Sequence, residues 1–189
     1  MDGLLICRYL WSAFFLLWLA WALRTKPTQT RESGRSRAPY LLLTIAGFYL
    51  LFSHRFPAAW LYRQTLPGEP WLAAAGVILT AAGLALAVWA RLHIGSNWSG
   101  TVTVKVGHEL VRSGPYRSVR HPIYSGILLA VIGTAIERRQ ICGLLAIALI
   151  YASFLLKSRI EERYMAATFG TAYEEYRHAT GSLIPRFWH

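Results

Sequence analysis

The sequence has few charged residues and very few acidic ones. Charged residues make up only 15% of its 189 positions, and nine Asp and Glu stand against twenty Lys and Arg. Soluble domains carry about 25% charged residues, so this composition argues against a soluble globular chain. The chain also has only two cysteines, Cys7 and Cys142. Both lie in apolar surroundings, which is typical of packing residues rather than of a disulfide or a metal site.

The sequence is instead rich in apolar residues, which make up 54% of the chain and gather in five uncharged runs. A bilayer core of ~30 Å requires about 20 helical residues. Only the third run reaches that length unaided, whereas the first two lengthen through their flanks and the last two form a tight helical hairpin. We therefore predict an all-α integral membrane protein with five transmembrane helices. The runs are residues 9–23, 38–53, 71–90, 122–136 and 140–156.

Basic residues orient this predicted bundle. Fifteen of the twenty Lys and Arg lie in residues 24–37, 91–121 and 157–189, which five spans place on one side of the membrane. Because basic segments stay on the cytoplasmic side, we expect the N-terminus outside and the C-terminus in the cytoplasm, at an inner or plasma membrane. This topology and attraction to anionic membrane lipid explain the net charge of +11, so we predict no nucleic-acid partner.

We predict one membrane domain over residues 1–189 with two unlike halves. Residues 1–90 hold three membrane helices, and residues 91–189 hold the polar motifs described below. No internal repeat or long low-complexity tract divides the sequence further. The second half is therefore where we look for chemistry.

Three segments outside the apolar runs have patterns of their own. Residues 27–37, rich in Thr, Ser and Arg, predict a solvated loop. Residues 101–106 alternate as a strand does, and a turn at Gly107–His108 would let residues 109–112 pair with it. This loop or hairpin insertion would cover the cytoplasmic mouth or line a cofactor pocket. Helical spacing from Ile160 to Tyr176 predicts a C-terminal amphipathic helix that begins at the Glu161–Glu162 pair.

Polar residues flank the predicted helical hairpin at its open end. The string Arg120–Gly126 precedes the fourth run, and Glu161 and Glu162 follow the fifth. Charged side chains are costly in hydrocarbon, so such residues at neighbouring helix ends indicate a site. Pro122 fits the first turn of a helix, whose free N–H groups suit an anion. Taken singly, an interfacial histidine or a pair of glutamates is more often structural than catalytic.

Six motifs follow one another in the second half of the chain. They are Gly107–Val111, Ser113–Tyr116, Arg120–Gly126, Glu161–Glu162, Phe169–Tyr176 and Ile184–Pro185. Their order and spacing resemble the isoprenylcysteine carboxyl methyltransferase family and related phospholipid methyltransferases, over about residues 91 to 188. This resemblance implies that S-adenosyl-L-methionine binds at the cytoplasmic end of the last two membrane helices, and that a lipophilic or amphiphilic acceptor enters from the membrane lipid.

The resemblance also implies roles for individual residues. The cofactor-binding candidates are His108, Glu109, Leu110, Val111, Tyr116, His121, Pro122, Ile123, Tyr124 and Glu161. The catalytic candidates are Lys157 and Arg159, either of which would hold an acceptor carboxylate, and Glu162, which would act as a base on an amine acceptor. Better-known eukaryotic members have an arginine four residues before the first glutamate, where this chain has Lys157, so the acceptor stays open. No metal is expected.

Several functions are compatible with these motifs. Carboxyl O-methylation of an isoprenylcysteine-like or other amphiphilic acceptor is the first, and methylation of a phospholipid amine or a small thiol is the alternative. Membrane sterol reductases resemble the chain around Arg120–Gly126 but bind NADPH, and a non-catalytic membrane scaffold needs no site. The Glu161–Glu162 pair and the short chain favour S-adenosylmethionine. The oligomeric state is not determined by these patterns.

Overall fold

The structure is a computed structural model that describes residues 2–22, 28–31, 33–98, 103–105 and 109–186. Helices form nearly all of its regular structure, and the first five coincide with the predicted apolar runs. Three helical stretches, Gly3–Trp21, Pro70–Asn97 and Ile141–Phe169, are long and apolar enough to cross a membrane. The α-helices are α1 (Gly3–Ala22), α2 (Gly34–Phe52), α3 (Pro70–Ile94), α4 (Pro122–Arg138), α5 (Ile141–Phe169) and α6 (Thr171–Ala179).

The first five helices alternate in direction, so the bundle has two distinct ends. At one end, the guanidinium of Arg8 lies 3.1 Å from the ring of His54. At the other, the Arg91 guanidinium donates to the carbonyl of Trp21 at 3.3 Å. We call this second end, where α1, α3 and α5 finish and α2 and α4 begin, the basic end. The three segments that hold fifteen of the basic residues all lead from it.

Two short strands connect loops at the basic end, and they correct two predictions. Strand β1 (Thr28–Arg31) pairs antiparallel with β2 (Thr103–Lys105). The prediction of a solvated loop over 27–37 is therefore wrong, because β1 and the start of α2 occupy it. The prediction of a hairpin with residues 109–112 is also wrong, although its turn at 107–108 lies outside the described residues. Alternation predicts a strand, whereas its partner is decided by which loops meet in space.

Glycines let α3 and α4 pack backbone against backbone. A Cβ on Gly83 of α3 would lie 2.4 Å from the backbone nitrogen of Ala130, and one on Gly126 of α4 would lie 2.6 Å from that of Ala87. Gly133 repeats the contact one heptad further along α4, 2.5 Å from the nitrogen of Thr80. Small residues permit such close approach between membrane helices. Gly126 thus lets α3 approach α4 closely.

Helix α5 is a single helix that continues well past the apolar run. Its 29 residues span about 43 Å, longer than a hydrocarbon core of ~30 Å, so its last turns project beyond the apolar layer. Gly170, with φ of 53°, ends it before α6 begins. Glu161 and Glu162 therefore lie inside α5, and the prediction that they begin a new helix is wrong. Neither glycine nor proline occurs between Gly143 and Gly170 to break the helix there.

We predict that Gly83→Ala destabilises the bundle by about 1–3 kcal/mol, because the added methyl meets backbone atoms of α4 that cannot move independently. Unfolding in mixed micelles measures this change. Gly34→Ala is the matched control, since no atom lies within 4 Å of its added Cβ. Equal stability of the two variants would contradict the close packing of α3 on α4.

Candidate functional site

Glu161 of α5 meets the start of α4 at the basic end. The hydroxyl of Tyr124 donates to its Oε1 at 2.6 Å. The Nδ1 atom of His121 lies 3.3 Å from its Oε2. The short Arg139–Gln140 connection between α4 and α5 makes their open ends neighbours, as the hairpin prediction requires. The structure thus brings together three of the residues that the sequence motifs single out.

Glu162 is more fully engaged than Glu161. Its Oε1 atom accepts from Nε of Arg120 at 2.9 Å and from the hydroxyl of Ser182 at 3.1 Å. The Nε2 atom of His121 lies 3.1 Å from the same oxygen. The backbone N–H of Arg120 also donates to the carbonyl of Gly181 at 2.9 Å. Glu162 therefore ties the segment after α6 to the start of α4, which is a positioning role.

His121 lies between the two glutamates and is charged as a result. Each ring nitrogen faces a carboxylate oxygen, and only the doubly protonated imidazolium can donate from both. Burial alone lowers the pKa of His121, but hydrogen bonds from its ring to Glu161 and Glu162 outweigh it and raise the pKa overall. His121 therefore acts as a cation that holds two carboxylates of α5 at the start of α4.

Among the residues that the structure describes, no side chain caps the start of α4. Pro122 occupies its first turn, as predicted, and His121 at the N-cap position makes no capping hydrogen bond because its ring is directed at the glutamates. The first N–H groups of an α-helix have no partner within the helix, and the helix dipole makes this end positive. The arrangement can bind a small anion such as a carboxylate.

Aromatic side chains form a wall beside the glutamates. The ring of Tyr124 stacks on His121 with centroids 5.5 Å apart and on Phe154 of α5 at 4.8 Å. Tyr116 is buried with Ile123 and Ala90, and its hydroxyl donates to the carbonyl of Ala90 at 3.4 Å. Burial raises the pKa of Tyr116 well above its usual range, so the phenol stays neutral. These rings offer flat apolar surface next to charged groups.

The two candidate cations of α5 point in different directions. Lys157 follows Phe154 and precedes Glu161 at helical spacing, so it shares their face. Its Nζ atom lies 5.3 Å from the ring centroid of Tyr124. Arg159 is exposed on another face of α5. Of the two, the site includes Lys157.

The segment before the site is described only in part. His108 lies outside the described residues. Glu109 is exposed, and Leu110 is half-buried. Val111 packs against the cluster that contains Tyr116 and Ile123. The role of this segment in holding a cofactor therefore stays a prediction.

Three residues of the site received no role from the sequence. Arg120 stood in the motif, and its position beside His121 near an acidic pair could have suggested an ion pair with Glu162. Ser182 gives no such signal, because a lone serine after a helix is common. Tyr40 of α2 lies 5.6 Å from the ammonium of Lys157, and nothing near it in sequence marks it. No cluster of three potential metal ligands occurs in the part of the chain that the structure describes.

Comparison with known proteins finds a match to the phospholipid methyltransferase family over residues 71–172. These residues run from α3 through α5 to the start of α6, so they include both glutamates and the whole of α4.

Individual relatives match between about half and three quarters of the chain. The chain is 31% identical over 118 residues to a protein-S-isoprenylcysteine O-methyltransferase of Rattus norvegicus, which covers 61% of this chain and 42% of that protein. It is 32% identical over 101 residues to the uncharacterized protein YpbQ of Bacillus subtilis, covering 53% and 56%. The cobalt-zinc-cadmium resistance protein CzcN of Cupriavidus metallidurans is 30% identical over 139 residues, covering 72% and 57%. The chain thus spans about half the length of the relatives it matches.

The raised pKa of His121 predicts how stability depends on pH. A histidine whose pKa rises on folding contributes stability that is complete below its unfolded value of ~6.5 and is lost as pH rises through the folded value. His121→Gln should therefore lower the unfolding temperature at pH 6, with the difference from wild type shrinking toward pH 9. The exposed His178 provides the control His178→Gln, which should show no such trend. A difference at His121 that is the same at both pH values would contradict its charged state.

Proposed function

Because the chain belongs to the phospholipid methyltransferase family, we propose that it is an integral membrane methyltransferase that uses S-adenosyl-L-methionine. We further propose that it methylates the carboxylate of an amphiphilic acceptor, such as an isoprenylcysteine. The observation that carries this is the joining of Glu161 and His121 at the uncapped start of α4. Several relatives are named as protein-S-isoprenylcysteine O-methyltransferases, which act on this kind of acceptor.

The residues at the start of α4 fit the cofactor. The uncapped N–H groups after Pro122 suit the carboxylate of its methionine moiety. Glu161 suits its hydroxyl or amino groups and opposes a sulfonium charge, while Tyr124 and Tyr116 offer flat surface for an adenine or ribose. When bound, S-adenosylmethionine supplies an electrophilic methyl group. The protein's part is then to align an acceptor and to place charge.

The charges around Glu161 favour an anionic acceptor. Arg120, His121 and Lys157 are three cations against two glutamates, and the start of α4 adds a further partial positive charge. S-adenosylmethionine is itself a net cation, so a carboxylate acceptor reduces the excess positive charge and a neutral amine does not. A carboxylate also needs no base. This agrees with the engagement of Glu162 by Arg120, His121 and Ser182.

Lys157 is the group we assign to the acceptor carboxylate. It is half-buried on the same face of α5 as Glu161, whereas Arg159 is exposed. An ammonium places one positive charge without the two-pronged geometry of a guanidinium, so it tolerates differently shaped carboxylates. The departure from the arginine of eukaryotic members then broadens the acceptor range rather than abolishing the reaction.

We place this site on the cytoplasmic side of a single five-span membrane domain. The basic end carries the site and leads into the three segments richest in Lys and Arg, which the charge bias assigns to the cytoplasm. Helix α4 has only 17 residues, which is short for a membrane span. It packs between α3 and α5 and crosses the apolar layer together with them. The N-terminus then lies outside.

A second candidate acceptor is the amine of a phospholipid headgroup, which the description of the matched family favours. An ammonium group must lose a proton before it accepts a methyl group, and Glu161 is the carboxylate nearer to the aromatic wall. The two candidates differ in their products, since one is a base-labile ester and the other an amine.

We expect the purified protein, given S-adenosylmethionine with a labelled methyl group, to form a base-labile methyl ester on a farnesyl-cysteine analogue. Phosphatidylethanolamine and a small thiol, assayed in parallel, should receive little label. Label only in phosphatidylethanolamine would show that the acceptor group is an amine and not a carboxylate. If neither these acceptors nor native lipid extract received label, methyl transfer would be refuted.

Two further variants separate the candidate cations in the same assay. Lys157→Gln should raise the KM for the carboxylate acceptor at least tenfold, about 1.4 kcal/mol, because it removes the positive charge that we assign to the acceptor carboxylate. Arg159→Gln should change it less than twofold, and the exposed Arg163 offers Arg163→Gln as a control for lost charge. A larger effect at Arg159 than at Lys157 would reverse our assignment.

Cofactor binding is measured separately by calorimetry. We expect Glu161→Gln and His121→Ala each to weaken S-adenosylmethionine binding at least tenfold, about 1.4 kcal/mol. Glu174→Gln, which removes only a surface pair with Arg177, should leave the affinity unchanged. Binding of NADPH in place of S-adenosylmethionine would support a reductase, and binding of neither would support a scaffold.

A further inference from the structure

Tyr40 of α2 reaches the site although α2 lies outside the segment that matches the family. Its side chain is 5% exposed. The Nζ atom of Lys157 lies 5.6 Å from its ring centroid and 5.3 Å from that of Tyr124. The ammonium of Lys157 is therefore flanked by two tyrosine rings, one from α2 and one from α4.

Both distances are within the range of cation–π attraction, about 6 Å. A lysine has a long flexible stem and no planar fork, so it needs outside contacts to hold its ammonium in one place. Two rings supply them here. The Tyr124 ring is itself fixed by stacking on His121 and Phe154, and the Tyr40 ring flanks the ammonium from α2.

Tyr40 is tied to the helix that carries Lys157. The hydroxyl of Ser153 on α5 donates to the backbone carbonyl of Tyr40 at 2.7 Å. Thr44, one turn further along α2, shares a hydrogen bond of 2.7 Å with the same hydroxyl. Ser153 lies one helical turn before Lys157 on α5. Its hydrogen bonds to α2 therefore fix the position of Tyr40 relative to the lysine.

The surroundings of this pair suit an amphiphile. Leu41, next to Tyr40, is 39% exposed, and Leu156, next to Lys157, is 38% exposed. In the membrane orientation that we propose, these exposed leucines of α2 and α5 face lipid. An acceptor whose carboxylate meets Lys157 can leave its apolar chain against them, since burial of such surface is favourable.

We propose that Tyr40 is a positioning residue that holds the ammonium of Lys157 for the acceptor carboxylate, so that α2 forms the acceptor side of the site. This inference rests on the proposed function, because it concerns the acceptor. It adds a residue for acceptor recognition that lies outside residues 71–172, the segment that matches the family. We expect the affinity for the cofactor to change little without Tyr40, because Tyr40 acts on the acceptor through Lys157.

The first test separates the acceptor from the cofactor by kinetics. Tyr40→Leu and Tyr40→Met remove the ring, and each should raise the KM for a farnesyl-cysteine analogue about tenfold while S-adenosylmethionine affinity stays within about twofold. Tyr40→Phe keeps the ring and should restore the KM to within about threefold of wild type. A Phe variant as impaired as the Leu variant, or a parallel loss of cofactor affinity, would overturn the proposal.

The second test does not require activity. The chain has only three lysines, Lys26, Lys105 and Lys157, so a Lys26→Arg/Lys105→Arg background leaves one amine of interest. After reductive ¹³C-methylation, which keeps the positive charge, the Lys157 signal should show an upfield ring-current shift. We expect Tyr40→Leu and Tyr40→Met to reduce the shift, and Tyr40→Phe to retain it. An unchanged shift in both ring-less variants would overturn the placement of Lys157.

The two tests distinguish the proposals from each other. Wild-type protein that binds S-adenosylmethionine but forms no carboxyl ester overturns the proposed acceptor, and the role of Tyr40 with it, even if the ring-current shift is present. Wild-type protein that forms the ester, combined with a normal acceptor KM in the ring-less variants, overturns the role of Tyr40 alone. Thermal unfolding of each variant shows whether a loss reflects misfolding, and Tyr40→Met serves if Tyr40→Leu does not fold.

Discussion

The direct contact between the backbones of α3 and α4 is the constraint on which the site depends. Gly83 and Gly126 leave no room for a Cβ, so the backbone of α4 packs directly against that of α3. The turn after α4 is equally tight, because Arg139 adopts a left-handed conformation with φ of 54° and its carbonyl accepts from the N–H of Thr65. With α4 fixed at both ends, α5 returns to the same end of the bundle and brings Glu161 to His121.

The two adjacent glutamates of α5 differ in their hydrogen-bond partners and in their exposure. Glu162 collects hydrogen bonds from a guanidinium, an imidazolium and a hydroxyl, which stabilise its charge and anchor the segment after α6. Glu161 accepts from Tyr124 and faces one nitrogen of His121, and its side chain is more exposed, at 21% against 16%. A carboxylate that keeps part of its surface free is the one that can take a ligand. Removing one partner of a buried ion pair leaves the other charge uncompensated, so the glutamates and His121 depend on each other.

The family match covers three of the first five helices. Residues 71–172 form α3, α4 and α5, which hold the glycine contact, His121 and the two glutamates. Helices α1 and α2 lie outside the match, yet α2 supplies Tyr40 beside Lys157. The matched part of the molecule therefore carries the residues that we propose for the cofactor, whereas Tyr40, which we propose for the acceptor, lies outside it.

The sequence alone determined the five helical segments and the pairing of the α4 start with the acidic residues of α5, because run length, hydropathy and Pro122 act locally. Only the tertiary structure decided three other matters. The partner of β2 is strand β1, more than seventy residues away, the backbones of α3 and α4 meet at Gly83 and Gly126, and Tyr40 of α2 lies across from Lys157. Each depends on which face of a helix turns inward or which distant segments meet. Such choices are set by the packing of whole elements, and no local pattern records them.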